Sequence, residues 1–89
     1  MRAIVTVIGK DQVGIIAFVC SLLAEQDVNV LDISQTILQE YFTMIMLVDT
    51  EKSKTPFSQL AAHLETEGKT RGLAIHAQRE DIFNAMHRI

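Results

Sequence analysis

Two places in this chain bring together residues able to do chemistry. The first is the turn Gly9-Lys10-Asp11-Gln12-Val13-Gly14, and the second is the polar pair Asn29 and Asp32 around Val30-Leu31. The turn has the look of a phosphate loop but fails that test, because Gly14 is followed by Ile15-Ile16 and not by Lys-Ser. It fails the dinucleotide fingerprint as well, lacking the Gly-x-Gly start. What remains is a strand that feeds a turn and then a helix. The start of a helix offers unpaired N–H groups and the positive end of a dipole, where an anion such as a carboxylate can settle. Gly14 carries no side chain and leaves the backbone approachable. Asn29 and Asp32 supply oxygen acceptors that suit an ammonium group, so the two places together would suit a free amino acid. The plainer alternative is that Asp11 caps the helix, Gly14 packs closely on the sheet, and Asn29 and Asp32 are strand-entry turn residues.

Other reactive residues are sparse. There is no Gly-x-Ser-x-Gly elbow. Cys20 is the only cysteine and lies within an apolar helical stretch with no histidine at helical spacing, which reads as a packed thiol and not a nucleophile. His63, His76 and His87 stand thirteen and eleven residues apart, so none forms the i, i+4 pair of a helical metal site. The expectation is no enzyme, no cofactor and no metal.

The elements that must position these residues follow from periodicity. Arg2–Ile8 alternates with β-branched residues and is apolar on both sides, which predicts an inner strand. Asp11 stands where it would cap a helix over about Gln12–Gln26. The apolar arc of that helix runs from Phe18 and Leu22 through Ile15, Val19, Leu23 and Ile16 to Cys20. That is about twice the ~100° stripe that one sheet covers, and the Phe18/Leu22 flank is expected to meet something else. Val28–Leu38 is a second strand with a bulge between Val30 and Leu31, where the apolar parity shifts. Gln39-Glu40 turns into a third strand, Tyr41–Val48. Thr55 and Pro56 start a second helix, as N-cap and first helical residue, with Gly68 as its stop. Leu73–Gln78 is a fourth strand, and Glu80–Ile89 a short helix with Ile82, Phe83, Met86 and Ile89 on one side.

The order β-α-β-β-α-β-α is that of an α+β, ferredoxin-like βαββαβ sandwich with a short extra C-terminal helix. Two helices cover one face of such a sheet, yet the first and third strands are apolar on both. The last helix or another subunit must cover the second face, and a subunit is expected to contribute.

Composition narrows the partners. Eighty-nine residues make one domain, 1–89, and not two. Eight Lys and Arg against eleven Asp and Glu give a net charge of −3, and the basic residues are scattered, which argues against nucleic acid. Another β-α-β-β-α-β module reads RNA on its sheet, but no Lys or Arg lies between Lys10 and Lys52 to accompany Tyr41 and Phe42. The charge-free apolar stretch Val13–Ala24 is twelve residues, short of the roughly 20 that span a bilayer. No targeting segment is visible, and a lone thiol fits a reducing compartment, so the expected setting is cytoplasmic and away from the membrane.

The run Val7-Ile-Gly-Lys-Asp-Gln-Val-Gly-Ile-Ile-Ala17, followed by Leu23-Ala24 and Asn29-Val30-Leu31-Asp32-Ile33, resembles the ACT domain, the small regulatory module attached to many amino-acid biosynthesis enzymes. Asp32-Ile-Ser-Gln-Thr-Ile37, Tyr41-Phe-Thr-Met44 and Ile82–Ile89 extend the likeness over nearly the whole chain. They look like the small stand-alone ACT proteins of bacteria and archaea that are similar to the glycine cleavage system transcriptional repressor. The resemblance implies a ferredoxin-like fold. It also implies ACT domains paired edge to edge through the second strand and first helix, and an effector at the paired interface. By motif match, ligand binding would fall on Asp11, Gln12, Val13, Gly14 and Ile15, and on Asn29, Val30, Leu31 and Asp32. The expected function is a regulatory, non-enzymatic homodimer that takes up a small amino acid or similar effector between subunits. With no catalytic or DNA-binding domain in the 89 residues, its output would pass to another chain. The alternative is a ligand-free dimerisation or adaptor module that docks to another protein.

Overall fold

The computed structural model describes residues 1–86. The elements are β1 (Arg2–Lys10), α1 (Ile15–Glu25), β2 (Asn29–Leu38), β3 (Tyr41–Asp49), α2 (Phe57–Lys69), β4 (Ala74–Arg79) and α3 (Glu80–Met86). The strands form one antiparallel sheet in the order β2-β3-β1-β4, the ferredoxin-like arrangement expected from the sequence.

Alternation sorts the side chains of each strand to two faces. Ala3, Val5 and Val7 pair with Val48, Met46 and Met44, and Ile75 of β4 stands beside Val7. This face is fully buried. Val19, Leu22 and Leu23 of α1 and Leu60 and Leu64 of α2 complete the core. Burying each large side chain of this kind is worth about 1.5–3 kcal/mol, and those pairings set the register. The opposite parity, Ile4, Thr6 and Ile8 against Leu47, Ile45 and Thr43, is covered by neither helix. Ile8 and Ile45 are 47% and 44% exposed.

β2 is an outer strand, exposed along almost its whole length. Its bulge lies where expected, with Val30 opposite Val48 and Asp32 opposite Leu47, so that Leu31 is the extra residue. The Gln39-Glu40 hairpin is also as expected, with Gln39 at φ 55.

Four local expectations need correction. Asp11 does not cap α1. Gly14 holds the N-cap position at φ 86, no side chain caps the helix, and the Asp11 N–H is spent on the Glu40 carbonyl at 2.7 Å. The helix therefore begins three residues later than the expected Gln12. The Phe18/Leu22 flank is not surplus: Leu22 is in the core, Phe18 packs against it, and the Arg71 guanidinium sits 4.3 Å from the Phe18 ring centroid. The underused flank of α1 is the opposite one, at Ile16 (38% exposed) and half-buried Cys20. Gly68 does not stop α2 but lies buried inside it, one residue before Lys69. Pro56, not Thr55, stands at the N-cap of that helix.

α3 follows β4 without a loop and touches β1 and β4. Arg2 Nε donates to Glu80 Oε1 at 3.0 Å, and Arg2 Nη2 bonds Glu80 Oε2. The expected continuation of this helix through His87, Arg88 and Ile89 lies outside the described residues. The principal extents are 35 × 34 × 20 Å. α3 leaves Ile8, Tyr41 and Ile45 on the far side of the sheet exposed.

Gly68 is fixed by packing. A Cβ there would sit 2.7 Å from Ile75 Cγ1 and 3.0 Å from the Leu73 carbonyl oxygen. In an open helix, alanine would be preferred to glycine by about 1 kcal/mol, but crowding a filled core costs about 1–3 kcal/mol. Ile75 is fully buried and has no room to yield, so crowding wins. Gly68→Ala is expected to lower the melting temperature by several degrees, read by circular dichroism.

The hydrogen bond from Arg2 holds the Glu80 carboxyl below its ordinary value of 4.5. A carboxylate depressed on folding contributes stability above its unfolded value and loses it as pH falls through the folded one. Amide protection over residues 80–86, measured against the intrinsic exchange rate at each pH, is expected to fall as pH drops below about 4.5. Glu80→Gln should exchange faster at pH 7 and show no such step.

Candidate functional site

β1 ends at Lys10, and the chain must then reverse to lay α1 on the sheet. It does so through Asp11–Gly14, a turn held at three points. The Asp11 N–H bonds the Glu40 carbonyl of the β2–β3 hairpin, Gln12 Nε2 donates to the Arg71 carbonyl at 3.1 Å, and the Gly14 carbonyl accepts from Phe18 N–H at 2.9 Å. The last bond is the first turn of α1. The N–H groups of Ile15, Ile16 and Ala17 precede it, as the orphan donors at any helix start, and no capping side chain takes them. Stacking of Arg71 on Phe18 is worth about 0.5–1 kcal/mol at an exposed site and keeps the 70–72 loop against the turn.

Beside these donors lies an open cavity of about 230 Å³, lined by Asp11, Gln12, Gly14, Ile15, Ile16, Ala17, Gln35 and Phe42. Pockets for drug-sized molecules run from roughly 300 to 1,000 Å³, so this one suits a smaller metabolite. Four of the nine residues singled out in the sequence line it: Asp11, Gln12, Gly14 and Ile15. Val13 does not, being 96% exposed. Ile16, Ala17, Gln35 and Phe42 were not among those nine. Gln35 did carry a signal, because it interrupts the apolar series Ile33, Gln35, Ile37 on one side of β2.

The other four residues stand elsewhere. Asn29 pairs with Asp49, which pairs with Arg2 at the start of β1, whereas the turn follows Lys10 at its end. The nine-residue strand separates them by about 26 Å. Asn29 lines a different cavity, of about 240 Å³, with Asp27, Asp49, Glu51 and Lys52. Asp32 is exposed on the open side of the sheet, and its Oδ1 accepts from Ile33 N–H at 2.9 Å. Val30 packs against the core and Leu31 is the bulge residue. Within one chain, donors for an anion and acceptors for a cation thus occupy opposite ends of β2.

No group of three or more His, Cys, Asp or Glu is placed to hold a metal ion among the described residues, and no helix among them is long and apolar enough to cross a membrane.

A strand–glycine turn–helix beside an exposed outer strand in a βαββαβ sheet is the layout of an ACT domain, and residues 2–78 match that family. The chain belongs to the ACT-domain family. More narrowly it belongs with the UPF0237 proteins, being 57% identical to the one from Clostridium acetobutylicum over 89 residues, all of both chains. Among solved structures it is similar to an ACT domain protein from Streptococcus pneumoniae, with 45% identity, a TM-score of 0.83 and 98% of each chain covered. A putative glycine cleavage system transcriptional repressor shares the fold at 23% identity and a TM-score of 0.73, over 88% of this chain and 44% of that one.

At φ 86, Gly14 occupies the left-handed region, and a Cβ there would meet nothing within 4 Å. The cost of a side chain is therefore purely conformational, about 1–2 kcal/mol for alanine and less for asparagine, which visits this region more readily. Gly14→Ala is expected to lower the melting temperature and Gly14→Asn to lower it less. Equal losses would mean that the turn leaves this conformation.

Proposed function

We propose that the chain is a non-enzymatic regulatory module. In this reading it works as a homodimer that takes up a small amino acid, or an effector of similar chemistry, between subunits. The observation that carries this is the separation just described: donors suited to a carboxylate stand near the hairpin end of β2 and oxygens suited to an ammonium near its start, on a strand whose outer edge is open.

An antiparallel twofold closes that gap. If two copies pair through Asp32–Leu38 about Gln35, Asp32 of one copy falls opposite Leu38 of the other. Leu38 adjoins the Gln39-Glu40 hairpin, to which Asp11 is hydrogen-bonded. The same pairing sets Ile33 against Ile37 of the second copy and Gln35 on the axis, at the mouth of the turn cavity. Ile33 and Ile37 are 37% and 54% exposed, and Ile16 stands above them on the helix side. The paired edge gains ladder hydrogen bonds and buries this apolar strip.

That arrangement brings Asn29, Val30, Leu31 and Asp32 of the partner to the same end of the paired edge as Asp11, Gln12, Gly14 and Ile15. The Ile15–Ala17 N–H groups hold the carboxylate, and Asn29 or Asp32 meets the amine. Effector binding then favours one arrangement of the pair, and a separate protein reads it. The muted chemistry of Cys20 and the histidines supports a binding role, and the reducing-compartment argument supports a cytoplasmic one.

A panel of amino acids tested by thermal shift is the direct experiment, because a ligand that binds only the folded state raises the melting temperature. One or a few small amino acids are expected to do so. Asp32→Ala, at an exposed position that tolerates the change, is expected to abolish the shift while the dimer persists. Unchanged affinity in that variant would reject the amine site, and no shift from any amino acid would favour the ligand-free adaptor.

A further inference from the structure

The open face of the sheet is left over once the turn cavity and the β2 edge have been assigned. It carries Ile4 and Ile8 of β1, Tyr41, Ile45 and Leu47 of β3, and Leu38 of β2. Thr6, Thr43, Ser34 and Thr36 lie between them. Charged or ionisable side chains stand at strand ends and lateral rims: Arg2, Lys10, Asp32 and His76. A dimple of about 130 Å³, lined by Ile4, Asp32, Ile33, Ser34, Ile45 and Leu47, lies toward its Asp32 side. Leu38, Tyr41, Ile8 and Ile45 are 70%, 49%, 47% and 44% exposed. An uncharged apolar centre within a polar rim is the make-up of a protein interface.

α3 does not cover this centre, since Leu38, Tyr41, Ile8 and Ile45 stay exposed beside it. We infer that the occupant is the same face of a second copy, and that edge-paired dimers stack back to back as a four-chain assembly. The closure rests on the edge pairing proposed above.

Symmetry and area select this occupant. The edge twofold runs normal to the sheet at Gln35, level with Met44 and Val7. A closed assembly of four needs a second twofold that intersects it, lying below the sheet and crossing the strands at that level. That axis inverts the rows. Leu47 comes over Tyr41 of the second copy, Ile45 over Thr43, and Ile8 over Thr6. Each charged or ionisable side chain of the stacked rows also finds an uncharged residue: Lys10 lies over Ile4, Asp32 over Leu38 and His76 over Ala74. No like charges are set against one another at the seam when that axis runs straight across the strands.

The area sets the order of assembly. Four strands at the usual spacing make a face of about 19 × 24 Å, or ~450 Å² per copy. One pair of faces buries about 900 Å², below the roughly 1,200–2,000 Å² of stable complexes. Two pairs joined through the β2 edges bury about 1,800 Å², which lies within that range. Stacking therefore follows edge pairing and does not replace it.

Sedimentation velocity on the full chain tests this, with circular dichroism confirming the fold of each variant. The wild type is expected to sediment as a tetramer at about 100 μM and to pass to dimers on dilution. Ile45→Lys and, independently, Ile8→Lys are expected to stop at the dimer and to keep any effector-induced thermal shift. Ile37→Lys, at the edge, is expected to give monomers. A wild type that stays dimeric, or tetramers that survive both face variants, would overturn the stacking and leave the edge reading intact. Tetramers lost with Ile45→Lys but untouched by Ile37→Lys would uphold the stack and overturn the edge reading. A wild-type monomer would overturn both.

Discussion

A four-stranded sheet has two faces and two edges, and α1 and α2 lie on one face only. That imbalance governs the rest of the molecule. On the helix side, Ala3, Val5 and Val7 of β1 and Met44, Met46 and Val48 of β3 are sealed from water. On the other side Ile4, Ile8, Ile45 and Leu47 belong to the same strands and point the opposite way, because alternation gives a strand no choice. Strands that are apolar on both sides suit a sheet covered on both faces. The outer edge of β2 is left without a neighbouring strand in the same way, and Ile33 and Ile37 are exposed.

The turn before α1 has the reverse character. It is held at three points, by the hairpin through Asp11, by the loop after α2 through Gln12, and by the first helical bond at Gly14. The helix donors are therefore presented in a fixed place. The side chains that would complement them are carried near the start of β2, and in the proposed dimer the subunit boundary and the binding site are then the same region. Such a layout couples occupancy to assembly with no moving lid, since a ligand held by both chains stabilises their contact by its own affinity.

Much of the fold was legible because apolar periodicity is a property of burial. The alternation of Arg2–Ile8 and the parity shift at Val30-Leu31 each led to the element observed. Errors arose where backbone conformation or tertiary contact decided the outcome. Asp11 has the right chemistry for an N-cap, but the Gly14 backbone turns left-handed and the helix begins there. Gly68 has the right chemistry for a stop, but its lack of a side chain is spent on contact with Ile75. Phe18 and Leu22 lie on the α2 side of α1, and only the placement of both helices on the sheet reveals that. The candidate site was legible as to the turn and less so as to its wall. Gln35 and Phe42 come from distant parts of the chain, and no local pattern binds them to Gly14.

The bulge at Leu31 has a consequence for proteostasis. An open edge strand ten residues long invites endless templating by other chains, the first step toward fibrils. One extra residue breaks the regular run of outward groups and twists the strand near its start. Seven residues of even ladder remain, Asp32–Leu38, enough to dock one neighbour in one register. Leu31 thus acts as a stopper: it leaves the strand sociable toward a single mate and a poor seed for anything longer.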